Sequence, residues 1–301
     1  MIDRACISLN QRCSLQCKYC HFTGKSAAVQ DAELEFSPAE ARLVISNIAE
    51  YCHINRVSDF KLGIAGAGEP LLSYETLQAI VYEARKSKVV FRIYIITNGM
   101  NIDIDQISYL FRNRDIVALN FSLDGNEYIH NCFRKGYKQT MAAILLYESV
   151  FGEKPRINAT VTRKSITNKE CLVQFFIGNG FNRIDFSIVV DTNDTKLAIS
   201  KEEYDDFLSY SNNMGIITRQ KRDGIDHTYD CTMFGRLCGV GRTNIFISRE
   251  GIYPCGRFFG LREYRLADYD APLHEVEVSF HTLQSIQDGC CYYDSIVRRE
   301  M

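Results

Sequence analysis

The sequence predicts an α/β protein: an open, partial (β/α)6 barrel of parallel strands, followed by a small cysteine-rich C-terminal domain. Three observations carry that expectation. Short runs rich in β-branched and aromatic residues alternate with stretches of helical periodicity from residue 4 to about residue 212. Strict alternation of this kind implies parallel strands joined by right-handed crossovers. After six units the alternation stops, and cysteines recur in the remainder of the chain. Eight units close a complete barrel, so six leave one side open. The expected division is 1–212 for the barrel, 213–230 for a polar linker and 231–301 for the second domain.

The first strand, 5–9, runs into a loop of cysteines. Ser37, Pro38 and Glu40 then open a helix as a capping box, with Ser37 at the N-cap and Pro38 in the first turn. Ala41, Val44, Ile45, Ile48 and Tyr51 recur at helical spacing behind it. The second strand, 60–64, enters Gly66-Ala67-Gly68-Glu69-Pro70, and a helix follows Ser73. The third strand, 89–96, ends at Thr97-Asn98-Gly99. A helix over 104–112 leads to the fourth strand, 116–121, which ends at Ser122-Leu123-Asp124-Gly125. A helix over 137–150, a strand over 157–161 and a helix over 169–179 stopped by Gly180 come next. A strand over 184–190 and a helix over 201–212 complete the series. Beyond the linker, 244–248, the turn Arg249-Glu250-Gly251 and Ile252-Tyr253 read as a hairpin.

Parallel sheets place ligands beyond the carboxyl ends of their strands. The cysteine loop, the Gly-Ala-Gly-Glu turn, Thr-Asn-Gly and Ser-Leu-Asp-Gly all fall just there. With 35 basic and 37 acidic residues the chain carries a formal charge of −2, which argues against nucleic acid as a partner. No run approaches the roughly eighteen apolar residues of a membrane span. The N-terminus has no apolar signal region, so a cytoplasmic location is expected. Twelve cysteines without a secretion signal point to metal rather than to disulfides.

Cys13, Cys17 and Cys20 stand at CxxxCxxC spacing with Tyr19 before the last. Three thiolates can hold three irons of a 4Fe–4S cubane and leave the fourth open to a small molecule. A structural zinc site is the alternative, because ligand type alone rarely settles the metal. Zinc knuckles, however, pair CxxC with a second pair nearby, and only His21 follows within about thirty residues.

This motif resembles the radical S-adenosylmethionine (radical SAM) superfamily, whose members are built on partial TIM-type barrels. The resemblance implies that the open iron is chelated by S-adenosylmethionine, which is cleaved reductively to a 5′-deoxyadenosyl radical. It implies that Gly66 and Gly68 bring backbone to the methionyl group and that Glu69 binds its ammonium, although Ala67 and an extra glycine depart from the family's Gly-Gly-Glu pattern. Ser122 and Asp124, with His130 and Arg134 after them, match a stretch of the peptide-modifying branch. Ser122 then meets the adenosyl ribose, and Asn98 lies where a second ribose contact forms. Arg134 pairs with the methionyl carboxylate or forms a loop salt bridge. Asp124 joins the cofactor site or holds its loop by an Asx-type turn. Tyr19 belongs to the same set, and Thr160 and Thr162 line the pocket.

The C-terminal cysteines resemble the SPASM/twitch extension. Cys238, Gly251 and Cys255 fit its hairpin, except that three residues rather than four separate Gly251 from Cys255. With Cys231 upstream and Cys290 or Cys291 completing the shell, they imply one auxiliary 4Fe–4S cluster, zinc being the alternative. Cys6, Cys52, Cys132 and Cys171 have no partners at ligand spacing and are expected as small buried hydrophobes.

The expected activity is oxidation or cross-linking of side chains in a ribosomally made precursor peptide. An external electron donor such as flavodoxin or ferredoxin is implied. Because the first strand begins almost at Met1, no N-terminal leader-recognition domain is expected, and leader binding would need a separate protein or another surface. A small-molecule dehydrogenase acting on a secondary alcohol, of aminocyclitol or sugar type, is the alternative. An iron–sulfur carrier without catalysis is a third reading, but it has no use for Glu69, Ser122 and an open iron.

Overall fold

The computed structural model describes residues 1–22, 34–189, 194, 196–222, 240, 243–282 and 293 of the 301-residue chain. Strand β1 (Arg4–Ile7) is followed by α1 (Pro38–Asn55), β2 (Asp59–Ile64), α2 (Tyr74–Lys86), β3 (Val90–Thr97), α3 (Ile104–Arg112) and β4 (Val117–Ser122). Then come α4 (Glu127–Phe133), α5 (Tyr137–Phe151), β5 (Arg156–Val161), α6 (Arg163–Thr167), α7 (Lys169–Gly178) and β6 (Arg183–Ile188). Helix α8 (Lys201–Asn213), β7 (Ile217–Thr218), α9 (Arg219–Arg222), the hairpin β8 (Asn244–Ser248) and β9 (Gly251–Tyr253), and α10 (Leu273–Thr282) close the series.

Helix α1 starts as the sequence predicts. Ser37 Oγ accepts from the Glu40 amide at 3.2 Å, and Glu40 Oε2 accepts from the Ser37 amide at 2.9 Å, so two otherwise orphaned donors are satisfied. Helices α4 and α6 are too short for apolar periodicity to reveal them. Their ends are set by side-chain caps: Asn126 Oδ1 accepts from the Ile129 amide at 3.0 Å, and Thr162 caps Ser165.

Nine strands form one sheet in the order β7-β6-β5-β4-β3-β2-β1-β8-β9. All neighbours are parallel except β8 and β9. Along the parallel strands side chains alternate between two faces. Ala5 and Ile7, Leu62 and Ile64, Ile93 and Ile95, Leu119 and Phe121, Ile157 and Ala159 all enter one core beneath the helices. Each of the larger side chains among them contributes about 1.5–3 kcal/mol through burial. The intervening residues, Tyr94, Asn120, Ser122, Asn158 and Asp185 among them, face away from the helices. Tyr94 on β3 feels the charges of Asp185 on β6 and Arg219 in α9, as a sheet curled toward a barrel requires.

The hairpin expected inside a separate domain prolongs this sheet. Strand β8 lies parallel to β1, Arg4 opposite Asn244 and Ile7 opposite Ile247, and Ile245 and Ile247 join the main core. The sheet therefore runs across the boundary read from the sequence at 213–230. Local signals reveal a hairpin but not its non-local neighbour. Among the described residues no helix is long and apolar enough to cross a membrane.

Candidate active site

Cys13, Cys17 and Cys20 follow β1 in a loop tied down by backbone bonds. The Lys18 amide donates to Phe133 O at 2.9 Å, and the Cys20 amide donates to Cys17 O at 3.0 Å. Cys13 Sγ accepts from the Leu15 amide at 3.4 Å and from Asn98 Nδ2 at 3.7 Å. The three thiols are half-buried. Burial pushes the Cys17 thiol up to about 11, with the Arg134 charge pulling it down and Asp124, Cys20 and Cys13 adding to the rise. Cys13 is raised too, first by burial. Cys20 adds to the rise at Cys13 as well. Three thiols on one short loop are a donor set that fits three irons of a 4Fe–4S cubane.

Glu69 is buried just below that loop, at 3 % exposure. Its Oε1 accepts from Thr97 Oγ1 at 2.7 Å and from the Leu71 amide at 3.3 Å, and its Oε2 accepts from the Asn98 amide at 2.8 Å. Burial raises its pKa above the usual carboxylate range, and the bonds from Asn98, Thr97 and Leu71 oppose that rise. The glycines before it permit a close pass. A Cβ on Gly66, whose φ is 153°, would lie 2.7 Å from Ser8 Cβ, and one on Gly68 would lie 2.0 Å from Asn10 Oδ1. Asn10, which sequence reasoning missed, holds this crossing together. Its Nδ2 donates to Glu69 O at 3.0 Å and to Ser73 Oγ at 2.5 Å. A lone polar residue at a strand exit gave no signal of burial. Asn98, expected at the ribose, donates its backbone amide to Glu69 and its side-chain amide to Cys13.

Asp124, Arg134 and Tyr19 form one buried cluster. Tyr19 Oη donates to Asp124 Oδ2, and Arg134 Nε donates to Tyr19 Oη at 2.9 Å and to Asp124 Oδ2 at 3.3 Å. The Thr160 amide donates to Asp124 Oδ1 at 2.9 Å. The Asp124 and Arg134 side chains are only 4 % and 13 % exposed. Burial works against the guanidinium charge, but Tyr19, Asp124 and Cys17 outweigh it and hold Arg134 protonated. Of the two roles the sequence left open for Arg134, the loop salt bridge is present. His130, fully buried, accepts from the Asp124 amide at Nδ1 (3.3 Å), which leaves Nε2 to donate to Lys135 O at 3.0 Å. Ser122 is buried on the inner face at the end of β4, whereas Thr162, expected to line the pocket, is taken up in capping α6.

The family model described as the radical SAM superfamily matches residues 7–162, just over half of the chain. The chain belongs to the radical SAM superfamily. Membership implies an enzyme that carries a 4Fe–4S cluster and binds S-adenosylmethionine. Among solved structures, anSMEcpe with bound AdoMet is similar with a TM-score of 0.76 and 17% identity, over 97% of this chain and 84% of that one. The same protein with AdoMet and a Cp18Cys peptide gives 0.73 and 17%, over 97% and 86%. Streptococcus suis SuiB bound to its precursor peptide SuiA gives 0.72 and 17%, over 99% and 73%. At such identities the likeness establishes the fold. A comparison with curated proteins finds no match.

Beyond the radical SAM match, Cys255 follows β9 inside a small aromatic cluster with Phe246, Tyr253, Phe258 and Phe259. Phe22, two residues after Cys20, packs on the same cluster, its ring 5.9 Å from Phe246 and 6.0 Å from Phe259. Cys231, Cys238, Cys290 and Cys291 lie outside the described residues. Cys6 and Cys52 are buried as expected, but Cys132 is half-buried and Cys171 is exposed at the surface of α7.

Proposed function

We propose that this radical SAM enzyme modifies a peptide, oxidising or cross-linking side chains of a ribosomally made precursor. The observation that carries the reading is the double role of Asn98, which bonds Glu69 through its backbone and reaches Cys13 through its side chain. Cysteine loop and Glu69 turn thereby become one unit at the carboxyl ends of β1, β2 and β3. The peptide complexes of anSMEcpe and SuiB favour a peptide over a small molecule.

On this reading Cys13, Cys17 and Cys20 would hold the cluster, which with bound S-adenosylmethionine would supply radical hydrogen-abstraction chemistry. Gly66 and Gly68 let backbone approach the methionyl group, and Glu69 offers its ammonium a buried, pre-oriented carboxylate. Ser122 faces the ribose. Arg134 commits Nε to Asp124 and Tyr19, and its two Nη groups make no hydrogen bond among the described residues, which leaves them for the methionyl carboxylate. Asp124 and Tyr19 are positioning residues that fix Arg134 and the last turn of the cysteine loop. An auxiliary 4Fe–4S cluster on Cys255, Cys231, Cys238 and one of Cys290 and Cys291 belongs to the same reading. Its partners are a flavodoxin or ferredoxin as electron donor and a separate leader-binding protein, in the cytoplasm.

The test is anaerobic reconstitution followed by assay for 5′-deoxyadenosine. Replacing Cys13, Cys17 and Cys20 together by Ala should abolish its release. Undiminished cleavage in that variant sinks the assignment.

A further inference from the structure

We infer that Phe22 and Phe246 are positioning residues of the cofactor site. Together they set where the cysteine loop stands against the turn that carries Glu69. The inference rests on the cluster assignment above and is independent of the substrate.

Residues 8–22 carry the three cysteines yet contain no helix or strand. Their placement therefore has to come from contacts outside the segment. On the β4 side of β1, Tyr19 holds the loop to Asp124, and the Lys18 amide holds it to Phe133 O. The other flank of β1 belongs to β8, and there the hairpin takes both ends of the loop. Ahead of Cys13, the Ser8 amide donates to Ile247 O at 2.9 Å, and Gln11 Nε2 donates to Glu250 Oε2 at 3.0 Å. Beyond Cys20, the Phe22 ring packs onto Phe246 and Phe259.

Ile245 and Ile247 enter the main core, so Phe246 projects from the opposite face of β8. It is 1 % exposed and meets three segments at once. The first is the cysteine loop. Phe22 stacks on Phe246 with 5.9 Å between centroids, and Phe259 meets both rings edge-on at 6.0 and 5.8 Å. Offset stacks and edge-on contacts are the arrangements aromatic pairs prefer, so the triangle fixes the direction of the Phe22 side chain. The second segment is the turn that leads to Glu69. A Cβ on Gly66 would stand 3.3 Å from Phe246 Cζ, and Ala65 and Ala67 pack on the same aromatic cluster. The third is Gly256, next to Cys255, where a Cβ would stand 3.2 Å from Phe22 Cζ and 3.3 Å from Phe246 Cδ2. Interiors this dense transmit a displacement instead of absorbing it. On the cluster assignment, S-adenosylmethionine bridges the open iron and Glu69. A change in the spacing of loop and turn is then felt as a change in its affinity.

Phe22→Ala removes the ring, and Gly256→Ala pushes on it from the hairpin without altering the loop itself. Both are read in anaerobically reconstituted full-length protein by S-adenosylmethionine titration and by electron paramagnetic resonance of the reduced cluster. Each should weaken S-adenosylmethionine about tenfold, the scale on which groups behind metal ligands act. Each should also diminish the change that S-adenosylmethionine makes in the cluster signal. Phe22→Leu, which keeps bulk, should recover most of the affinity. The double variant Phe22→Ala/Gly256→Ala should bind no more weakly than Phe22→Ala, because the added methyl has no ring to push. Should Gly256→Ala not fold, Phe246→Leu carries the same measurements from the hairpin side. Ile80→Ala, in the main core on α2, is the comparison: its melting temperature should fall while affinity and signal stay. Wild-type affinity and signal in Phe22→Ala overturn the inference and leave the cluster assignment standing. An equal loss of affinity in Ile80→Ala traces the effect to general destabilisation and also overturns it. A wild-type cluster signal that does not respond to S-adenosylmethionine overturns the cluster assignment, and the inference with it.

Discussion

Asp124 carries more of the candidate site than its place in a four-residue motif suggests. It accepts from Tyr19, Arg134 and the Thr160 amide, and so joins the cysteine loop, α4 and β5 at one carboxylate. Asp124→Asn leaves the Arg134 charge buried beside a neutral amide, which should cost about 3–5 kcal/mol in urea unfolding. Tyr19→Phe, which removes one hydroxyl, should cost about 1–2 kcal/mol. Equal, small effects of the two would mean that Arg134 is not held by the acid. His130 gives a pH signature. Burial lowers its pKa below the ordinary 6.5, with the neighbouring Arg134 charge assisting against Asp124. The unfolded chain then binds a proton that the native chain refuses. Its contribution to stability is present above about 6.5 and is lost as pH falls through that value. Wild-type stability should drop between about pH 7 and 5.5 more steeply than that of His130→Gln, and parallel curves would refute the assignment. At this scale the sequence exposed the motif residues, because glycines, cysteines and carboxylates after strands are rare enough to notice. It did not expose their partners. Tyr19 lies 105 positions from Asp124, and nothing local marks Asn10 or Asn120 as buried.

Strands and helices were more legible. The capping box of α1 follows from Ser37 and Glu40, and the apolar alternation of β2 to β6 follows from a period of two. The missed helices α4 and α6 owe their existence to caps and tertiary contacts, not to periodicity. Strand β2 also contains a feature that reads as a weakness until the sheet is seen. Gly63 in mid-strand leaves room for the Tyr94 ring, whose Oη and Cζ would stand 2.3 Å and 2.4 Å from a Cβ there. Gly63→Ala should therefore destabilise by about 1–3 kcal/mol through overpacking. Adding Tyr94→Ala should return part of that loss, as a double-mutant cycle of thermal melts would register. Additive effects would mean that the ring moves aside without cost.

For the molecule as a whole, the point illegible in the sequence was where the hairpin goes. The alternation of six units predicted an open sheet, and the structure leaves it open, but β8 and β9 extend its β1 side. A chain ending at residue 222 loses the β8 partner of β1 and removes Ile245, Ile247, Leu273 and Val276 from the core. It should aggregate through the exposed edge or melt without cooperativity, as sedimentation and calorimetry would report. A truncated chain that melts as sharply as the intact one would restore the hairpin to a domain of its own.

The position of β8 also orders events in time. During synthesis β1 and then β2 leave the ribosome early, but β8 arrives only after β3 to β7 have been made. Closing so long a loop adds little to the equilibrium cost, since that cost grows only as the logarithm of length. It weighs on rate instead, because contacts between distant segments form late. One flank of β1, the strand from which the cysteine loop springs, therefore stays unzipped for most of the protein's birth. A strand translated late seals one translated early.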